Sequence, residues 1–300
     1  MKLTIFTPTY NRGGQLLDLY NSIANQEDIN VFKNDIEWLI IDDGSIDDTR
    51  KIVNGLIERK EIKIRYFFKS NGGKHTAHNY AVDKACGDFF MICDSDDVLT
   101  PNSIKIVLAT INEIDKCEKI AGMVGYLHAQ SEDGTINNIN KKFPKGVTES
   151  KLNDLFKIEG VFDTCQVYRT SILKEFKYPE YLGERFFPDN WCWRSIDKQY
   201  LVKVIPEVLE TGTYQSDGLS IGTGSNSAKP YKNPNSNADY AYLYYETLSS
   251  PIKRLAYYGK YLVFKKYGKQ SRHDEWILLN FLSLPFQIYF DKKYFSKNQK

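Results

Sequence analysis

Apolar and polar positions alternate in blocks along the first 120 residues, and the blocks read by turns as strands and helices. Leu3–Thr7 is a short apolar run ending at Pro8, the pattern of a buried strand. Gln15–Asn25 places Leu16, Leu19, Tyr20 and Ile23 on one helical face. Glu37–Ile41 is a second strand. Ser45-Ile46-Asp47-Asp48 matches a capping box and predicts a helix to about Arg59, with Ile52, Val53, Leu56 and Ile57 inward. Ile62–Phe68 is a third strand. After the turn Asn71–Lys74, His75–Ala85 has helical character, with Gly87 as its left-handed cap. Asp88–Cys93 is a fourth strand, and Pro101–Cys117 is a helix with proline in its first turn. Strands alternating with helices predict an α/β fold: a mainly parallel sheet with helices on both faces.

The pattern weakens afterwards. Gly122–Gln130 and Thr164–Arg169 read as strands, Ser131–Asn140 as a polar turn, and Thr170–Phe176 and Pro188–Lys198 as helices. Thr213–Asn237 is rich in Ser, Gly and Asn and predicts a mobile loop. Tyr240–Leu248 and the tail after Pro251 are helical. Trp276–Phe290 is the nearest approach to a membrane span. It is too short, and Asn280, Ser283, Pro285 and Gln287 interrupt it, so a buried or interfacial helix is expected. The opening MKLTIFTPTYNR lacks the apolar run of a signal peptide.

Length changes this picture little: 300 residues suit one large domain or two small ones. The net charge of +2 gives no nucleic-acid signal. Its distribution is more informative. Residues 251–300 carry eleven Lys and Arg against three acidic residues, with Tyr and Phe interleaved. Such a tail is either a solvated helical face or a peripheral contact for an anionic membrane. The five cysteines are odd in number and lack metal-ligand spacing. Cys86 and Cys93 are expected in the core, and a reducing cytosol is the natural compartment.

Two acidic clusters carry the candidate chemistry. Trp38–Ile41 runs into Asp42-Asp43-Gly44-Ser45, and Phe89–Cys93 runs into Asp94-Ser95-Asp96-Asp97. Carboxylates at the C-terminal ends of strands face the crevice where open α/β sheets bind ligands. Gly44 and Ser45 are explained by a turn and a cap. Two adjacent carboxylates are not, and one can accept a base N–H. Asp94 and Asp96 lie two apart on extended chain and point the same way. Three such close carboxylates repel unless a cation or protons intervene, and oxygen-only ligands suit Mg²⁺ or Mn²⁺. Asn71-Gly72-Gly73-Lys74 is either a plain turn or a place where backbone amides and Lys74 approach phosphate. His75, His78, His128 and His273 form no persuasive metal set. Asp189 begins a predicted helix, where the dipole favours its ionised form; it is either a cap or a general base.

These stretches together resemble a family 2 glycosyltransferase of the GT-A fold, similar to bacterial capsule and exopolysaccharide transferases. The matching pieces are Phe6–Arg12, Ile40–Ser45, Asn71–Gly73 with Ala77-His78-Asn79 and Ala85–Asp88, and Asp94–Asp97, in the family's order. The resemblance implies an inverting transferase of the hexosyl or N-acetylhexosaminyl class. It implies a nucleotide-diphosphate donor, most often UDP-linked, and a saccharide or lipid-linked acceptor in surface polysaccharide synthesis at the cytoplasmic membrane face. By the same analogy Thr9 and Asp43 line the base site, with Asn11, Gly73 and Lys74 on the donor. Asp94 lies near the ribose, and Asp96 holds the metal with Asp94 or Asp97 assisting. The family's base often sits in a Glu-Asp pair. Here Glu184 and Asp189 are separated by Arg185–Pro188, and Asp189 is preferred with Glu184 as the alternative. The Asp217–Ser220 stretch fits the same subgroup. The implied organisation is a donor half over 1–100, an acceptor half over 101–215, a flexible loop over 216–239 and a basic helical tail over 240–300.

Two rival enzymes fare worse: Thr7–Arg12 is neither the Gly-rich phosphate loop of a nucleotidyltransferase nor the Gly-x-Gly-x-x-Gly of a dinucleotide oxidoreductase. A non-catalytic carbohydrate-binding or membrane-adaptor module does not need so many carboxylates.

Overall fold

The structure is a computed structural model and describes residues 1–131, 142–155, 163–214, 228–270, 273 and 275–295. Its first half alternates β1 (Leu3–Thr9), α1 (Leu16–Ala24), α2 (Ile29–Phe32), β2 (Ile36–Asp42), α3 (Thr49–Glu58), β3 (Ile64–Phe68), α4 (Lys74–Lys84) and β4 (Phe89–Ile92). Next come β5 (Asp97–Leu99), α5 (Ser103–Ile114), β6 (Ile120–Ser131), β7 (Glu149–Ser150), α6 (Leu152–Leu155), β8 (Thr164–Arg169), α7 (Thr170–Glu175), α8 (Asn190–Ile196) and β9 (Leu201–Tyr214). Four helices close the described chain: α9 (Pro234–Thr247), α10 (Pro251–Gly268), α11 (Ile277–Leu282) and α12 (Leu284–Tyr294).

One sheet runs in the order β3-β2-β1-β4-β8-β6-β9-β5, with β7 beside β9. The β3-β2-β1-β4 half is parallel, as the alternating pattern predicts. The other half is mixed: β8 is antiparallel to β4 and β6, whereas β9 is parallel to β6 and antiparallel to β5 and β7. The fold is therefore mixed α/β and GT-A-like rather than mainly parallel throughout.

Period-2 alternation sends successive strand residues to opposite faces. Ile5, Trp38, Ile40 and Met91 pack with Leu19 and Ile23 of α1, Val53 of α3 and Ile104 of α5. Phe6, Leu39, Ile41 and Phe90 pack with Ala77 and Ala81 of α4, Leu173 of α7 and Trp193 of α8. Ala241 of α9 and Tyr258, Tyr261 and Phe264 of α10 form a separate apolar cluster.

Several expectations are corrected. Helix α3 starts at Thr49 rather than Ser45, because Ser45 Oγ accepts a bond from the Asn11 amide (2.8 Å) and is not spent on a helix end. Ile57 is exposed. Gly87 is not a left-handed cap: it lies against β1, where a Cβ would crowd the Thr4 amide, and its N–H donates to Thr4 Oγ1. Cys93 is buried as expected, but Cys86 is exposed. The expected loop over Thr213–Asn237 is shorter: Thr213 belongs to β9, and α9 begins at Pro234 with Ser236 and Asn237 buried. Asp217–Ser220 and most of the Ser131–Asn140 turn lie outside the described residues.

Candidate active site

The C-terminal ends of β1, β2 and β4, the start of α4 and the start of α8 meet in one crevice. Each strand end delivers a polar cluster because its apolar run stops there and the chain must turn.

At the end of β2 the two aspartates divide their work. Asp42 is the turn maker: it accepts bonds from the Ser45 amide (2.7 Å) and the Tyr66 hydroxyl (2.6 Å). Asp43 reaches across to the loop before α4. It accepts from the Gly72 amide (2.9 Å), the Gly73 amide (2.7 Å) and Lys69 Nζ (2.6 Å). Asp43 thus anchors the glycine loop, leaving one lone pair on Oδ2 for a ligand. Thr9, beside it on β1, is buried with its hydroxyl unpartnered. Asn11 holds the neighbouring turn, accepting from the Ile46 amide (2.8 Å).

Gly73 is forced by its surroundings. Its φ of +94° is left-handed, and a Cβ would sit 2.7 Å from the Arg185 carbonyl carbon and closer still to the oxygen. This contact sets Lys74 between two carboxylates. Its Nζ lies 2.7 Å from Asp94 and 3.7 Å from Asp189. Burial disfavours the ammonium, yet Asp94 and Asp189 prevail and raise its pKa, so Lys74 stays charged.

Asp94, Asp96 and Asp97 each offer an oxygen within 4.8 Å of the others. Their charge is balanced in three ways. Lys74 faces Asp94, Arg12 Nη1 lies 2.7 Å from Asp96, and Asp97 is pushed up to about 9 by burial and then by nearby Glu210. Asp94 Oδ1 is buried without a partner. A hard-oxygen set with an unpartnered oxygen fits a divalent cation.

Sequence reasoning missed Glu210. It lies on β9, fully buried, with Oε1 unpartnered and the thiols of Cys93 and Cys165 against it. Burial pushes its pKa to about 8. Two residues on, Gly212 pairs with Asp97, and a Cβ there would overlap the Asp97 carboxylate. Strand β9 therefore shapes the back of the acidic cluster. Arg12 and Lys69 were also unassigned by sequence, although Arg12 lies inside the recognised Phe6–Arg12 stretch.

The two base candidates part company. Glu184 is buried, and its carboxylate accepts from the Asn235 amide (2.7 Å) and Nδ2 (2.8 Å) and from the Ser236 amide (2.8 Å) and Oγ (2.6 Å). It is fully spent at the start of α9, which removes it as a free base. Asp189 makes no side-chain cap bond to α8. Its side chain is 51% exposed at the crevice. Surrounding protein pushes its pKa up, against the pull of Lys74, rather than the helix dipole holding it down. His75 and His78 are buried among aromatic rings, their nitrogens unpartnered, and burial lowers them to about 4 and about 3. They are neutral core residues.

A mixed α/β sheet with an acidic cluster at its parallel strand ends defines a GT-A-like transferase class. The family model described as Glycosyl transferase family 2 matches residues 4–177, and the chain belongs to that family. It is 25% identical over 241 residues to a GalNAc(5)-diNAcBac-PP-undecaprenol beta-1,3-glucosyltransferase of Campylobacter jejuni, covering 77% of this chain and 71% of that one. It is 29% identical over 190 residues to the poly(ribitol-phosphate) beta-N-acetylglucosaminyltransferase TarS of Staphylococcus aureus, covering 63% of this chain and 30% of TarS. A match to an uncharacterized glycosyltransferase of Mycoplasma pneumoniae spans 38% of either chain. Among solved structures, TarS residues 1–349 with UDP-GlcNAc superposes with a TM-score of 0.64 at 21% identity, over 98% of this chain and 80% of that one. A Pyrobaculum calidifontis mannosyltransferase with GDP-Man and Mn²⁺ superposes with a TM-score of 0.54 at 11% identity, over 99% and 88%.

Proposed function

We propose that this chain moves a hexosyl or N-acetylhexosaminyl group, with inversion, from a nucleoside-diphosphate donor to a hydroxyl of a saccharide or lipid-linked acceptor. The observation that carries the reading is the bridge from Asp94 through Lys74 to Asp189, at 2.7 and 3.7 Å. It sets an exposed carboxylate beside a cluster suited to a cation-bound diphosphate. UDP-GlcNAc in the TarS complex and the undecaprenol-linked acceptor in the Campylobacter enzyme's name favour a UDP-sugar and a polysaccharide role.

In this reading Thr9 Oγ1 and the remaining lone pair of Asp43 meet the nucleotide base, while Asn11 and Gly73 hold the walls around it. Asp94, Asp96 and Asp97 would hold Mg²⁺ or Mn²⁺, which supplies Lewis-acid neutralisation of the leaving diphosphate. Lys74 adds a fixed cation on the same side. Asp189 accepts the proton of the acceptor hydroxyl. That oxygen forms a bond to the anomeric carbon as the bond to the diphosphate breaks, its electron pair leaving on the phosphate oxygen. The raised pKa of Asp189 makes it a stronger proton acceptor than an ordinary carboxylate.

Asp189→Asn tests this. Binding of UDP-sugar, measured by calorimetry, stays as in the wild type, while transfer falls by about 10²–10⁴. Unchanged transfer in the variant would remove Asp189 from the mechanism.

A further inference from the structure

Eight of the sixteen large apolar side chains exposed among the described residues fall within residues 276–289. Ile277 and Phe281 are 78% and 73% exposed, and Leu278, Leu282, Leu284 and Ile288 are more than half exposed. Trp276 and Tyr289 stand at either end. Helices α11 and α12 contain no buried residue, so their packing against α10 leaves an apolar face bare. No helix among the described residues is long and apolar enough to cross a membrane.

A groove of about 600 Å³ opens beside this face, between α10 and the α11–α12 pair. Lys265, Lys266 and Lys269 line it, with Phe281 and Leu284 at its apolar wall. Lys265 pairs with Glu275 at 3.1 Å and Lys266 lies 3.7 Å from Asp291, while Lys269 has no acidic partner among the described residues. Lys292 and Lys293 end α12.

We infer that α10–α12 form a docking surface for an anionic lipid bilayer. The apolar face enters the headgroup–acyl boundary, and the lysine groove meets lipid phosphates. Charge selects this occupant over a second copy of the chain. A two-fold dimer would bring two copies of the same lysine-bearing patch together, whereas an anionic leaflet complements its charge. Trp276 and Tyr289 have the amphipathic rings that favour the interface.

The surface is fixed to the acceptor side of the crevice. Glu184 caps α9, Asn190 Nδ2 of α8 donates to the Tyr244 hydroxyl of α9 (3.1 Å), and α10 packs along α9. Docking therefore holds the Asp189 side of the crevice at the membrane. This deepens the proposed use of a lipid-linked acceptor, but its test needs no catalysis.

The full chain is floated with vesicles of phosphatidylcholine, with and without phosphatidylglycerol, at low and high salt. Binding is expected on the anionic vesicles, weakening with salt, with a blue shift of fluorescence that Trp276→Phe removes. Lys266→Gln with Lys269→Gln should lower partitioning to anionic vesicles roughly thirtyfold. Phe281→Ser with Leu284→Ser should lower it at every salt concentration. Thermal unfolding confirms that each variant is folded. No binding to anionic vesicles at low salt overturns the inference. So does binding that both double variants leave unchanged, or dimerisation without vesicles that Phe281→Ser with Leu284→Ser abolishes. If docking fails while Asp189→Asn still behaves as expected, only this inference falls.

Discussion

Gly73 joins the two sides of the crevice, and alanine at this position perturbs that junction alone. The added Cβ meets the Arg185 backbone, 2.7 Å from its carbonyl carbon, where contacts under 3.0 Å force something to move. If the backbone holds its φ of +94° and ψ of 160°, a region essentially reserved for glycine, strain costs about 1–3 kcal/mol. Overpacking against a backbone atom adds about 1–3 kcal/mol. If the loop moves instead, it gives up the Gly72 and Gly73 amide bonds to the Asp43 carboxylate, each worth about 1.5–3 kcal/mol. The first route costs about 2–6 kcal/mol and the second about 3–6 kcal/mol, and movement of the loop shifts Lys74 away from Asp94. Urea unfolding should show the loss, and calorimetry should show weaker UDP binding. Gly55→Ala is the matched control. Gly55 lies exposed inside α3 with nothing within 4 Å of an added Cβ, so alanine should stabilise by about 0.5–1 kcal/mol. If Gly73→Ala keeps wild-type stability and UDP affinity, the crevice is not organised through this contact.

Other perturbations reach the remaining parts of the site. Asp96→Ala leaves only two of the three clustered carboxylates, and metal-supported transfer should fall by roughly a hundred- to thousandfold while urea stability is kept; wild-type turnover at saturating Mn²⁺ would refute its assignment. Glu210→Gln replaces the buried carboxyl behind Asp97 with an amide that cannot ionise, and should weaken Mn²⁺ binding roughly tenfold above about pH 8, where Glu210 is charged; an isotherm unchanged at that pH would show that Glu210 does not act on the cluster. His78 is held neutral, first by burial and then by Lys74, with its pKa lowered from 6.5 to about 3. Its contribution to stability is complete above pH 6.5 and is lost as pH falls towards 3. His78→Phe binds no proton, so it should gain on the wild type by about 1.4 kcal/mol per pH unit between about pH 6 and pH 4. Parallel stability curves for the two proteins would contradict the burial of a neutral ring.

The parallel half was legible because β1, β2 and β4 are buried on both faces and each ends at a polar turn. Apolar runs such as Trp38–Ile41 therefore mark the strand, and the aspartates that follow mark the crevice. Strand β9 shows why the other side was not. Pro206 interrupts its apolar run, and a proline argues against a central strand. The structure accommodates it in an irregularity of the β6–β9 ladder, where the register jumps between the Val124–Val204 and Tyr126–Val208 pairs. Missing β9 meant missing Glu210, whose strand brings it behind residues more than a hundred positions earlier.

The four carboxylates that sequence left ambiguous are sorted by how many donors reach them. Asp42 takes two bonds and closes a turn. Asp43 takes three and orders the glycine loop. Glu184 takes four and is exhausted, because Asn235 and Ser236 arrive from some fifty residues downstream. Among the described residues the Asp189 side chain meets only the Lys74 ammonium, and it stays half exposed. Donor supply is a tertiary property: no spacing between Glu184 and Asp189 encodes it. A carboxylate can act as a base only where the fold withholds hydrogen-bond donors, and in this crevice that condition separates Asp189 from the other three.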